Sequence, residues 1–303
     1  MNSSSSSITG LLLLDKPSGI SSHAALQKAK KLCGAKKAGH TGSLDPLASG
    51  MLPICFGEAT KFAHYLLMEN KRYWVQARLG IKTASGDSEG EVLLRRTVPT
   101  LTATVLQRAL QTFCGDILQV PPMYSAIKYQ GQPLYRWARQ GMTVLRKSRL
   151  VHVYEFNLLE QQEDVLTFDV HCSKGTYVRT LIDDLGDMLG CGAHVIRLRR
   201  LSVGHYLASS MVTLETLEKH RQEENVVIGQ RWLLPMDSLF MHWPKITLDE
   251  IAARSLRQGR SVKISHALSV GHVQLQEGPG TFLGVGEVLS DGSIVSRRLV
   301  RQG

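Results

Sequence analysis

The sequence predicts a mixed α/β domain followed by a small β-rich one, and three observations carry that prediction. Apolar residues alternate with polar ones over 72–79 and again over 165–172, the period of a half-buried strand. Apolar residues recur at helical spacing after Gly175, through Val178, Leu181, Ile182, Leu185, Met188 and Leu189. From about Trp243 the texture changes to a short helix near Leu248–Leu256 and Gly-rich segments with strand-like alternation. A chain of 303 residues, 43% of them apolar, is long enough for one large core and one small one.

The elements follow in order. The serine run Ser3–Ser7 marks a disordered start, so residues 1–8 are expected to be a tail. The apolar run Ile8–Leu14 reads as a strand ending at Asp15-Lys16-Pro17, where proline stops ladder pairing. Ser21 or Ser22 can cap a helix to about Cys33, with Gly34 as its stop. Residues 38–58 hold four glycines and two prolines and lack a clear period through their first half, which marks a functional loop. On the strand over 72–79, Tyr73, Val75, Ala77 and Leu79 share the inward face. A helix is expected over Leu101–Phe113, and Leu166, Phe168, Val170 and Cys172 face inward on the strand over 165–172. The helix after Gly175 carries Tyr177 and Arg179 in its first turn and ends at Gly190. Residues 213–242 join the two parts, giving a large domain over 9–242 and a small one over 243–303, where Asp291-Gly292 marks a hairpin.

The formal charge of +10 points to a polyanionic partner, because cations that neutralise phosphates release condensed counterions. Its distribution strengthens the case. Three stretches lack Asp and Glu: 16–44, with six lysines including Lys16; 117–154, where Tyr124, Tyr129, Tyr135 and Trp137 interleave with cations and about half of those rings are expected in the core; and 188–214, with Arg197, Arg199 and Arg200. The five cysteines have no C-x-x-C spacing and read as buried thiols of a reducing compartment, and the 11 histidines show no metal-ligand spacing. Leu11–Leu14 is too short for a signal core or a membrane span, so a cytoplasmic protein is expected.

One segment could do chemistry. In Gly39-His40-Thr41-Gly42-Ser43-Leu44-Asp45-Pro46 the aspartate is the first acid after the basic run, and flanking glycines let a bulky ligand approach the backbone. An Asp before Pro also serves as a plain turn residue.

Read through to Gly50, the segment resembles the catalytic motif of the TruB family of bacterial tRNA pseudouridine-55 synthases. Further matches occur in the family's order: Leu14-Asp15-Lys16-Pro17, Lys71-Arg72-Tyr73, Thr83-x-Ser85-x-Asp87-x-x-Gly90, Pro121-Pro122-x-Tyr124-Ser125-Ala126-x-Lys128, Ser173-Lys174-Gly175-Thr176-Tyr177-Val178-Arg179 and Gly192-Ala193-His194. The resemblance implies a largely antiparallel mixed sheet and a PUA-like RNA-binding domain at the C-terminus. It implies isomerisation of a uridine in the T-stem-loop of tRNA by a monomer, with no cofactor, metal or guide RNA. Asp45 takes the nucleophile position, Arg179 keeps it ionised, and Tyr73 stacks on the flipped base or moves a proton. His40, Tyr177, Leu198, Asp87 and Lys16 fall at substrate-binding positions, although Asp87 could instead order its own loop. Arg179 has a plainer reading as an i,i+4 partner of Asp183, and Tyr73 as a core residue. Three other functions fit parts of the pattern: a non-catalytic tRNA-binding or folding protein, a nucleoside hydrolase, and a guide-dependent synthase of the same superfamily.

Overall fold

The computed structural model describes residues 8–224, 231–263 and 269–301, so residues 1–7 of the expected tail lie outside it. An eleven-stranded sheet forms the larger part. Its main path runs Val212–Thr213, Gly10–Lys16, Ser49–Phe56, Ala193–Val203, Lys71–Leu79, Val165–Cys172, Arg149–Gln162, Gly115–Gln119. Two of these pairings are parallel, the first with Gly10–Lys16 and that between Ser49–Phe56 and Ala193–Val203; the other five are antiparallel. The sheet is therefore mixed and largely antiparallel, as expected.

Alternation decides which residues meet on each face. Leu12, Leu14, Leu52, Ile54, Tyr73 and Val75 pack with the helices Ser22–Leu32, Ala103–Gln111 and Val178–Met188 on one face. Leu11, Leu13, Met51 and Cys55 turn to the other, against Phe62, Leu239 and Phe240. The expected inward sets of both alternating strands are buried. The helix after Gly175 buries Val178, Leu181, Ile182 and Leu185, but Met188 is exposed because the helix ends there, before Gly190 takes a left-handed φ of 79°.

Several expectations need correction. The first strand begins at Gly10 and runs through Asp15 and Lys16, because main-chain pairing to Met51 and Gly50 is indifferent to side-chain polarity. Much of 38–58 is regular: Ala38–His40 and Ser49–Phe56 are strands whose glycines and Pro53 hide the period, leaving only 41–48 irregular. Gly50 serves the fold, since at φ 97° a Cβ there would lie 2.3 Å from the Arg200 carbonyl oxygen on the neighbouring strand. None of Tyr124, Tyr129, Tyr135 and Trp137 is buried, against the expected half, because the short helix Leu134–Arg139 anchors itself through Leu134 alone. Cys114 is exposed while the other four cysteines are buried.

After the helix Leu214–Glu224 and a short 3-10 turn at Met236–Phe240, a second sheet of five strands forms in the order Lys245–Leu248, Gly271–Glu277, Thr281–Val288, Ser293–Leu299, Val262–Lys263. The helix Glu250–Arg257, capped by Asp249, packs on it, and the Asp291-Gly292 hairpin lies where expected. Phe240 and Phe282 meet Phe62 at 5.6 Å in edge-to-face contacts, which joins the two parts through an aromatic cluster.

Candidate active site

The irregular segment 41–48 is held from below before any functional group is considered. Ser21 caps the first helix by accepting from Ala24 N–H, which frees Ser22 for another task. Its hydroxyl accepts from Leu44 N–H at 2.7 Å and donates to the Leu44 carbonyl at 2.9 Å. On the other side of Asp45, the Pro46 carbonyl accepts from Gly19 N–H at 2.8 Å and from Lys16 Nζ at 3.4 Å. The residue that carries the carboxylate is thus fixed at both neighbours.

Arg179 meets Asp45 across 134 positions of sequence. Its Nε donates to Oδ2 at 2.8 Å and its Nη2 to Oδ1 at 2.9 Å, a bidentate pair. The guanidinium side chain is 4% exposed and the carboxylate 35%, so the acid presents an open side while its partner does not. Arg179 is itself anchored: Nη1 donates to the Ser85 carbonyl at 2.7 Å, Nη2 to the Tyr124 carbonyl at 2.8 Å, and Asp87 Oδ2 lies 3.4 Å away. The plainer reading of Arg179 does not hold, since Asp183 pairs with Lys82 at 3.2 Å. Burial pushes the Asp45 carboxyl above its ordinary value; Arg179 and Lys16 pull it back, and Asp87 adds to the rise.

Asp87 is buried, and its carboxylate accepts from the Ser85 hydroxyl, from Glu89 N–H at 3.1 Å and faces Arg179. Of its two readings, this is the one in which it orders its own loop and steadies the arginine. Lys16, expected among the substrate-binding residues, is fully buried. It lies on the same strand face as Leu12 and Leu14, and its Nζ donates to the carbonyls of Pro17 at 2.8 Å, Ile20 at 2.7 Å and Pro46 at 3.4 Å. All three ammonium protons are spent on backbone, so none is left for a phosphate. Burial lowers its pKa to about 8. The cations of 188–214 need the same correction: Arg200 is 2% exposed, Arg199 pairs with Asp15 at 2.6 Å, and only Arg197 is exposed.

Tyr73 is 9% exposed on the site face, and burial raises its phenol, with Asp45 among the charges acting on it. Leu198 is buried and pairs with Val75 next to it on the sheet. Tyr177 is half-buried at the N-cap of the helix Val178–Met188. Its backbone is gripped by the Gln119 side chain, which accepts from Tyr177 N–H at 2.7 Å and donates to its carbonyl at 3.1 Å. Sequence reasoning missed Gln119, and a glutamine at a strand end carries no signal that could have found it. His40 is half-buried, its Nδ1 has no partner among the described residues, and burial, then Arg200 and His23, lower its pKa, so it is neutral at pH 7. Among the described residues no group of three His, Cys, Asp or Glu side chains is placed to hold a metal.

A carboxylate with one open side, a locked guanidinium behind it and a tyrosine on the same face can supply a nucleophile and a stacking or proton-transfer partner. Comparison with known proteins converges on the same chemistry. The model described as TruB family pseudouridylate synthase (N terminal domain) matches residues 30–178, that of the tRNA pseudouridylate synthase B C-terminal domain matches 179–241, and that of pseudouridine synthase II TruB, C-terminal, matches 244–300. The tRNA pseudouridine synthase B of Coxiella burnetii is 51% identical over 295 residues, covering 97% of this chain and 96% of that protein. That of Pseudomonas aeruginosa is 50% identical over 295 residues, covering 97% of each. Among solved structures, a Cbf5-Nop10-Gar1 complex superposes with TM-score 0.73 at 25% identity, covering 96% of this chain and 84% of that one. An H/ACA RNP bound to a substrate RNA containing 2'-deoxyuridine shares the fold with TM-score 0.73 at 22% identity, over 97% of this chain and 85% of that one. The chain belongs to the TruB family of pseudouridylate synthases.

Proposed function

We propose that the protein isomerises the T-loop uridine at position 55 of tRNA to pseudouridine, acting as a monomer in the cytoplasm without cofactor or guide RNA, with Asp45 as nucleophile. The observation that carries the reading is the bidentate Arg179–Asp45 pair with its carboxylate open on one side, in a chain half identical to tRNA pseudouridine synthases B along nearly all its length.

The chemistry follows from what the substrate demands. A uridine in a folded loop is stacked, so it is extruded before it reaches Asp45. The carboxylate attacks ribose C1′ or ring C6, the bond from C1′ to N1 breaks, the base turns, and C5 bonds to C1′ as the bond to Asp45 breaks and the carboxylate is released. The C5 proton is then lost while N1 takes up a proton, so no atoms or electrons are gained or lost overall. Arg179 keeps Asp45 ionised against the rise that burial imposes. Tyr73 stacks on the extruded base or moves its proton, while His40, Tyr177 and Leu198 line the base's surroundings. Asp87 and Lys16 serve by fixing Arg179 and the Asp45–Pro46 backbone. Residues 9–242 form the catalytic domain, and 243–303 form a PUA-like domain that adds RNA contacts.

Mapping pseudouridine by carbodiimide-dependent reverse-transcription stops on a tRNA transcript, with only the purified protein added, tests substrate and autonomy together. A single stop at position 55 without free uracil is the expected result. Modification elsewhere overturns the site assignment, free uracil points to a hydrolase, and no modification despite binding returns the non-catalytic tRNA-binding reading.

A further inference from the structure

The largest fully buried side chain among the described residues is an arginine given no role so far. Arg200 is 2% exposed on the strand Ala193–Val203, and no described ion pair includes it. Its Nε donates to the Met51 carbonyl at 2.7 Å and its Nη2 to the Gly42 carbonyl at 3.0 Å. Those two carbonyls flank the segment that carries Asp45. Tyr73 and Arg200 are register partners on adjacent strands, and the guanidinium's charge acts on the phenol.

A buried cation without a carboxylate partner costs several kcal/mol, and an apolar side chain of similar volume would commonly serve a core as well or better. The neighbours register its charge: burial is the main cause of the lowered pKa of Lys16, His40 and Lys71, Arg200 adds to each, and it opposes the rise that burial imposes on Tyr73. Arg179 behaves otherwise, as its positive charge is spent on Asp45 and Asp87. A planar fork of five donors reaches the loop carbonyl of Gly42 and the strand carbonyl of Met51 at once, which one ammonium on a flexible stem does poorly.

We propose that Arg200 is the positioning residue that ties the nucleophile segment to Tyr73, setting where the phenol oxygen stands relative to Asp45 when the base enters. The proposal rests on the role given to Tyr73 under the proposed function. Its unspent charge has a second effect, favouring electron density on the phenol oxygen as Tyr73 engages the substrate. Lying beneath the segment, Arg200 does not contribute to holding the RNA backbone.

The test compares Arg200→Lys, Arg200→Gln, Tyr73→Phe and the Arg200→Gln/Tyr73→Phe double variant in single-turnover tritium release from tRNA labelled at uridine C5, alongside tRNA affinity and thermal unfolding. Arg200→Gln is expected to slow release about 100-fold and Arg200→Lys about 10-fold, with affinity within about threefold of wild type. The double variant is expected within about threefold of Tyr73→Phe alone, because the two residues act as one unit. Should Arg200→Gln fail to fold, Arg200→Lys, which keeps the buried charge, carries the same comparison. A wild-type rate in the folded Arg200 variant overturns the proposal, and so does a double variant whose losses multiply. A wild-type rate for Tyr73→Phe alone instead overturns proton transfer by Tyr73 and leaves it stacking on the base, and with it falls the proposal, which acts through the phenol oxygen.

Discussion

The two faces of the large sheet are built from the same strands and do opposite work. On Gly10–Lys16, Leu12, Leu14 and Lys16 point to the site, while Leu11 and Leu13 point to the aromatic cluster under the second sheet. The site face converges on buried charge, where Arg179, Asp45, Asp87, Lys16 and Arg200 all have specified partners. The opposite face converges on Phe62, Tyr65, Phe240, Phe282 and Trp243, with ring centroids 4.9 to 5.9 Å apart within the cluster. Directional hydrogen bonds tolerate no substitution without leaving a charge unpaired, whereas apolar contacts lose energy in proportion to the volume removed. Activity should therefore depend on the polar groups of the first face, while the aromatic cluster of the second serves stability alone.

Removing the nucleophile's charge is the strongest way to break this contrast. Asp45→Asn is expected to lower single-turnover tritium release by at least about 1,000-fold while tRNA affinity, read by filter binding, stays within about threefold. Arg179→Lys keeps a charge but loses the fork, and release should fall about 100-fold in the same assay. Asp87→Asn leaves Arg179 with its other partners, so a loss of about 10-fold is expected there. On the opposite face, Phe240→Ala should cost about 3 to 5 kcal/mol in denaturant unfolding, yet leave single-turnover release by the folded protein within about threefold. A rate loss there as large as that of Arg179→Lys would erase the distinction between the faces.

The smallest effect sharpens the account of charge. Asp45 must be ionised to attack, and burial holds its pKa above the ordinary carboxylate value. The rate is therefore full above that raised pKa and falls as pH drops through it. The acid limb of a single-turnover pH profile should lie above the usual aspartate range, and Arg179→Lys should move it higher still.

Sequence alone resolved the strands wherever one face is dry, as over 72–79 and 165–172, since burial imprints a period of two. It read the resemblance in the Asp45 segment and named Arg179, but spacing could not bring together residues 134 positions apart; only the sheet order does that. It failed on Lys16, Arg199 and Arg200 for a common reason. Composition treats a cation as surface, while these three spend their donors on buried carbonyls or a local carboxylate. A signal was present for Lys16, which continues the period of Leu12 and Leu14. For Arg200 the irregularities in the strand pairing between Val195 and Arg197 and between Arg200 and Ser202 shift the register, so alternation could not have told its direction.

The most direct test of Asp45 as nucleophile is tritium release from uridine C5-labelled tRNA by wild type and Asp45→Asn at equal tRNA occupancy. Release by the wild type alone, at most one tritium per tRNA, is the predicted result. Release by Asp45→Asn at a rate near wild type, with the tRNA equally bound, would contradict it.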